Sequence, residues 1–191
     1  GLKFRMPGLG GDAMRQLGVN VVLLPGGEIF PALQSGAIDA TEWVGPWNDL
    51  AFGFYRVAKN YYYPGFHEAG PILSCGVNRQ RYEALSDSDK AIVRSACLAE
   101  NDNMYAEFTA NNGRALETLI NQHDVTLRRF PEPILDAFAA ASEEVVANVA
   151  NHDDLSKRIY DSYIAARKDL AGWTKIASQA YANERSRALG L

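Results

Sequence analysis

LPGGEIFPALQSGAIDATEWVGPWN, residues 24–48, is the stretch whose reading decides the fold. From Glu28 to Ser35 the apolar residues Ile29, Phe30 and Leu33 recur at spacings of three and four, which puts one stripe of a helix toward a core. Gly36 stops that helix. An apolar strand, Ala37 to Ala40, follows at once and ends in Thr41-Glu42-Trp43. Side chains at the carboxyl end of a strand face the crevice in open α/β sheets, so the stretch is built to aim Glu42 and Trp43 at something small. Trp47 and Asn48 close it with a second indole and an amide.

Working outward, Leu2 to Met6 reads as a strand, Asp12 to Leu17 as a short helix ended by Gly18, and Val19 to Leu24 as a second strand that Pro25-Gly26-Gly27 turns into the helix above. Repeated β-α-β units of this kind predict an α/β lobe with a largely parallel sheet. Leu50, Phe54, Val57 and Ala58 mark a short helix for which Asn48 or Asp49 is a candidate amino-terminal cap. Tyr61 to Tyr63 is β-rich, Pro64-Gly65 is a turn, and Pro71 to Val77 reads as another buried strand. Ser86 and Asp89 form a capping box with aspartate in place of glutamate, opening a long helical segment to about Gln122. Val125 to Leu127 is a brief strand. Beyond Pro131 and Pro133, a helix is predicted over Ile134 to Ala150. After the break Asn151-His152-Asp153-Asp154, a second carries Leu155, Ile159, Tyr163, Leu170, Trp173 and Ala177 over roughly 30 residues, or about 45 Å. So long an apolar stripe needs a partner, either another subunit or the chain's own lobe.

Composition narrows the function. With 191 residues, 47% of them hydrophobic and no low-complexity run, the chain is globular. A net charge of −4 and no basic cluster beyond Arg128-Arg129 argue against a nucleic-acid or anionic-membrane surface. No apolar run approaches the ~18 residues of a membrane span, and Gly1-Leu-Lys-Phe carries none of the regions of a signal peptide. Cys75 and Cys97 lack metal-ligand spacing and lie in apolar patterns; they are expected to be buried thiols, with a bridge between them left open.

Arg5 stands in an otherwise apolar strand, with Phe4 and Met6 on the opposite face. A guanidinium there is costly unless it meets an anion, either a protein acid or a ligand carboxylate that fits its planar fork. Glu42 and Glu68 admit two sharp readings, a general acid and base or hard oxygen ligands for Na⁺, Ca²⁺ or Mg²⁺. Trp43 and Trp47 suit the floor of a small pocket, with the Asn48 amide fixing a ligand oxygen. No His-x-x-x-His spacing accompanies His67, and no direct role is expected of it. Serine nucleophile elbows are absent, and Gly8-x-Gly10-Gly11 lacks dinucleotide spacing.

The string from Phe30 to Glu42, an aromatic-x-Ala-Leu-Gln-x-Gly-x-x-Asp-x-x-Glu pattern, resembles the signature of the substrate-binding subunits of tripartite ATP-independent periplasmic (TRAP) transporters. Lys3-Phe-Arg-Met-Pro-Gly8, Tyr61-Tyr-Tyr-Pro-Gly65, Cys75-Gly-Val-Asn78 and Leu85-Ser-Asp-Ser-Asp89 are similar to further pieces of that family, in the same order. Glu42-Trp43 with Glu68 resembles the subgroup that takes 2-oxo acids with a metal ion. The resemblance implies part of a two-lobed periplasmic-binding-protein-like α/β fold with long C-terminal helices. Residues 1–133 would be an α/β lobe with inter-lobe strands, residues 134–191 the C-terminal helices, and the amino-terminal lobe would be absent. It implies a receptor rather than an enzyme, periplasmic, binding a small 2-oxo monocarboxylate such as pyruvate and delivering it to membrane subunits. Arg5, Trp43 and Asn48 would hold the substrate. A cation, Na⁺ or Ca²⁺, would be held by Glu42, the Trp43 carbonyl and Glu68. A homodimer through a C-terminal helix is also implied. Where the family often has glycine before the strand at Val125, this chain has Asp124. The competing class is a metal-assisted lyase or hydrolase acting on a small carboxylic acid with Glu68 as base.

Overall fold

Strands β1 (Lys3–Arg5), β2 (Asn20–Val22) and β3 (Ala40–Thr41) form a parallel sheet in the order β2-β1-β3. The computed structural model describes residues 1–67 and 73–190. Phe4 lies beside Val21 and Ala40, and Arg5 beside Val22 and Thr41. Strand alternation then separates the two faces. Phe4 and Val21 pack on Met6, Met14 and Phe138, whereas Val22 packs on Ile29, Ile38 and Phe54. Helix α1 (Gly8–Gln16) supplies Met14 and helix α2 (Gly26–Ser35) supplies Ile29, so both faces of the parallel sheet are covered. Ile29 is fully buried, with Phe30 and Leu33 half-buried on the same cluster, as their spacing predicts.

Three local outcomes differ from expectation for identifiable reasons. Helix α1 starts at Gly8 rather than Asp12, and a Cβ at Gly11 would sit 2.6 Å from the Met6 carbonyl oxygen. Glycine at this position lets the helix come this close to the end of β1. The strand expected over Ala37–Ala40 narrows to Ala40–Thr41, because the Ile38 N–H still bonds back to the Ala32 carbonyl. Helix α3 (Pro46–Phe52) is preceded by Gly45 as its cap and has proline at its first position. Asn48 and Asp49 therefore lie inside its first turn, and neither caps it.

A second, two-stranded parallel sheet pairs β4 (Asn60–Tyr63) with β5 (Thr126–Arg129), from Asn60 beside Thr126 to Tyr63 beside Arg129. The buried strand expected over Pro71–Val77 does not form in its described part. Leu73 to Val77 has no strand partner among the described residues and is exposed; Pro71 and Ile72 lie outside them. Apolar content supplied the expectation, but a strand also needs a neighbouring edge. Helix α4 (Arg79–Glu83) leads to α5 (Asp87–His123), 37 residues opened by Ser86, whose hydroxyl accepts from the Asp89 N–H at 3.1 Å and donates to its carboxylate at 2.7 Å. Only the carboxyl half of α5 is packed: Ala115 and Leu119 are buried, whereas Ile92, Leu98 and Tyr105 are exposed. Asp124 takes the left-handed conformation, φ 55°, and the Val125 N–H reaches the Leu119 carbonyl at 3.0 Å. This is the position and geometry that glycine usually supplies at a helix end.

The chain divides into units Gly1–Phe138 and Ala139–Leu191. Helix α6 (Glu132–Val149) spans the division, with Phe138 and Val145 buried and Val149 exposed. Helix α7 (Asp154–Thr174) is capped by the Asp153 carboxylate, which accepts from the Ser156 N–H at 2.7 Å. It continues through a π-helical turn at Lys175–Gln179 into α8 (Ala180–Leu189). Within the second unit Arg167 forks onto Glu143 at 2.5 and 2.9 Å, tying α7 to α6. Leu155, Ile159, Leu170, Trp173 and Ile176 remain exposed. Among the described residues no helix is long and apolar enough to cross a membrane.

Candidate functional site

Because β1 and β3 run parallel with Arg5 beside Thr41, the next residue along, Glu42, emerges next to Arg5 at the carboxyl edge of the sheet. Arg5 Nη1 donates to Glu42 Oε1 in an ion pair. Arg5 Nε donates to the Leu24 carbonyl at 3.0 Å, and the guanidinium lies over the Trp43 ring, 5.4 Å from its centroid. Arg5 is 7% exposed, so the charge is held by these partners rather than by water. Among the described residues Nη2 makes no hydrogen bond. The other oxygen of Glu42, Oε2, is 3.2 Å from His67 Nε2. A carboxylate with one partner on each oxygen retains acceptor capacity for a further ligand.

Trp43 is wedged in place. A Cβ at Gly26 would lie 2.6 Å from its Cη2, and Phe52 and Phe54 pack against it with centroids 5.1 and 6.5 Å away. Trp47 instead packs its ring edge-on to Phe108 of α5 at 5.2 Å, and its backbone N–H donates to Asn112 Oδ1 at 3.0 Å. It anchors α3 to α5.

Around this edge, three buried polar atoms lack partners among the described residues: Trp43 Nε1, Asn48 Oδ1 and Asp49 Oδ1. Buried polar groups are nearly always paired, so a cluster of exceptions on one short segment marks a place where a ligand can supply what the protein does not. The second Asp49 oxygen accepts from the Tyr61 hydroxyl at 2.5 Å. Burial raises the Asp49 carboxyl, the Tyr61 hydrogen bond opposes that, and the charge of Glu42 raises it further, so that it is pushed up to about 6. Burial and the Asp49 charge push the Tyr61 hydroxyl well above its ordinary value.

The structure therefore brings Arg5, Glu42 and Trp43 together. Asn48 stands on the first turn of α3 without a hydrogen bond to any of them. Glu68 lies outside the described residues, and among those described no three His, Cys, Asp or Glu side chains gather as a cation site. Reasoning from sequence gave Asp49 only a capping role and Tyr61 only strand propensity, and it set His67 aside. The available signal was an aspartate inside an apolar helical pattern, which requires a buried partner. Cys75 and Cys97, expected to be buried, are both exposed.

A family model for bacterial extracellular solute-binding proteins, family 7, matches residues 1–153. A monocarboxylate 2-oxoacid-binding periplasmic protein of Nostoc sp. is 39% identical over 183 residues, 96% of this chain and 50% of that protein. A TRAP transporter solute-binding protein of Bordetella bronchiseptica RB50, a mixed-occupancy dimer with calcium and picolinate in one site, has a TM-score of 0.90. It is 34% identical and covers 100% of this chain and 56% of its own. A TRAP periplasmic solute-binding protein of Colwellia psychrerythraea with bound calcium and pyruvate also gives 0.90 at 34% identity, over 96% and 56%. The chain spans about half the length of the relatives it matches.

Proposed function

The chain belongs to family 7 of the bacterial extracellular solute-binding proteins, and on that premise we propose that it is the ligand-gripping part of a periplasmic receptor for a small 2-oxo monocarboxylate such as pyruvate. The receptor would hand its ligand to the membrane subunits of a TRAP transporter. The observation that carries the reading is the Arg5–Glu42–Trp43 cluster at the carboxyl edge of the parallel sheet.

Arg5 pairs with the substrate carboxylate. The Leu24 carbonyl and the Trp43 ring fix the plane of its guanidinium before the ligand arrives, which reduces the ordering cost of binding. Glu42, the Trp43 carbonyl and Glu68 are hard oxygen donors of the kind Na⁺ and Ca²⁺ take, and the spare acceptor capacity of Glu42 fits that role. A bound cation supplies a positive centre for the carboxylate and keto oxygens. The Asn48 amide fixes a substrate oxygen, and the Trp43 indole excludes water. The family is one of solute-binding proteins, and binding without turnover is the expected outcome in place of lyase or hydrolase chemistry. A second copy of the chain is the partner that would cover the exposed face of α7 and α8, and sedimentation of the intact protein tests it.

Calorimetric titration of pyruvate and longer 2-oxo acids into the intact protein, with and without Na⁺ and Ca²⁺, tests the main reading. Saturable, cation-dependent binding without product formation is expected. Absence of binding to every 2-oxo acid would remove this ligand class and leave family membership alone.

A further inference from the structure

The two cysteines of the sequence, expected to be buried thiols with a bridge between them left open, share one open groove with Val77, Arg79, Tyr82 and Val93. Cys75 lies on the connector that leads into α4, and Cys97 lies in the amino-terminal half of α5. Neither supports a packed core, since both are exposed. They also sense each other. Partial desolvation, then the charge of Cys75 and a hydrogen bond that the Cys97 S–H donates to it, push the Cys97 thiol up. The connector carrying Cys75 has no ladder partner among the described residues and can adjust to the specific Cα separation that a disulfide demands.

We propose that Cys75 and Cys97 are a redox pair that closes into an intrachain disulfide, stapling the connector before α4 to the amino-terminal half of α5. Only the compartment rests on the proposed function: an extracytoplasmic space supplies disulfide-bearing thiol oxidants, whereas the cytosol keeps such pairs reduced. The chemistry balances as two exchanges. One protein thiolate attacks a sulfur of the oxidant's disulfide, forming a mixed disulfide and expelling a thiol. The second protein thiolate then attacks the protein sulfur of that mixed disulfide and expels the other. Two protein thiols lose two electrons and two protons, and one oxidant disulfide becomes two thiols.

The test equilibrates the intact protein with mixtures of reduced and oxidised glutathione, traps free thiols by alkylation, and reads the species by mass spectrometry, in native buffer and in urea. The expected product is monomer lighter by two hydrogens, with a peptide joining Cys75 to Cys97. Its effective concentration should be at least tenfold higher in native buffer than in urea, with a rise of about 5–10 °C in Tm on oxidation. Cys75→Ser and Cys97→Ser should each stop at a single glutathione adduct. Separate adducts on both cysteines, an interchain product only, or an effective concentration no higher than in urea would overturn the pair. Running the 2-oxo acid titration on the same sample separates the two ideas. A bridge in a protein that binds none of those ligands removes the 2-oxo acid reading and keeps the pair, and binding with unpaired thiols does the reverse.

Discussion

Raising the pH from 4 to 8 should destabilise the protein through one side chain, Asp49. Its carboxyl is pushed from an ordinary 3.8 to about 6, chiefly because it is buried, and Glu42 adds charge of the same sign. In the unfolded chain the same group returns to its ordinary value. Below about 4 both states hold the proton and the favourable burial of the neutral acid is fully present. Between those values the unfolded state has released its proton while the folded state keeps it, so stability falls as pH rises. Above 6 the folded protein carries a buried charge. A difference of roughly 2 units at 1.36 kcal/mol each gives about 3 kcal/mol lost across the window. Urea unfolding of the native protein and of Asp49→Asn at pH 4, 5, 6, 7 and 8 measures it, since the amide can still accept from the Tyr61 hydroxyl and has no proton to lose. The two stability curves should approach each other at pH 4 and diverge by about 3 kcal/mol, in favour of the variant, at pH 8. Curves that stay parallel over the whole range would refute the reasoning, because every other titrating group is common to both proteins.

Three further perturbations probe the site and its frame. Arg5→Ala should abolish 2-oxo acid binding in calorimetry and cost about 3–5 kcal/mol of stability by leaving Glu42 buried without its cation; unchanged affinity would remove Arg5 from the site. Gly26→Ala should push the Trp43 ring aside, costing about 1–3 kcal/mol and altering indole fluorescence, and an unchanged emission spectrum would contradict the wedge. Asp124→Gly should raise stability by about 0.5–1 kcal/mol by relieving the left-handed backbone at the end of α5, with a lower unfolding midpoint as the contrary result.

What the sequence disclosed was whatever depends on local period. The stripe Ile29, Phe30, Leu33 and the alternation of Phe4, Arg5 and Met6 each have one arrangement that buries the apolar side, and both are found. Glu42 and Trp43 were legible as side chains leaving a strand's carboxyl end, whereas the place of Arg5 beside them follows from the pairing of β1 with β3, which no local period states. The Asp49–Tyr61 pair was not legible, because it joins a helix to a strand of the second sheet and no local pattern encodes that meeting. The segment Leu73 to Val77 misled in the opposite sense: its residues favour a strand, and the missing ingredient, an edge to join, is a tertiary fact. Asp124 sits between the two cases. Its departure from glycine was visible, but its meaning came only with the left-handed φ of the folded chain.

The pairing of β4 with β5 also governs when this part of the molecule can be assembled. Asn60 and Arg128, bonded at 2.7 Å across that ladder, are 68 positions apart. Contacts of such separation are made late, because the chain between them must be ordered before they repay it. Most of that interval is α5, a helix able to form within about a microsecond on its own. The seating of Trp47 on Phe108 and Asn112 then fixes where the far end of the helix arrives. With Trp47 seated on Phe108, only residues 48–59 and 109–125 remain to span before the two strands can pair, so the contact between α3 and α5 shortens the loop that the ladder must close.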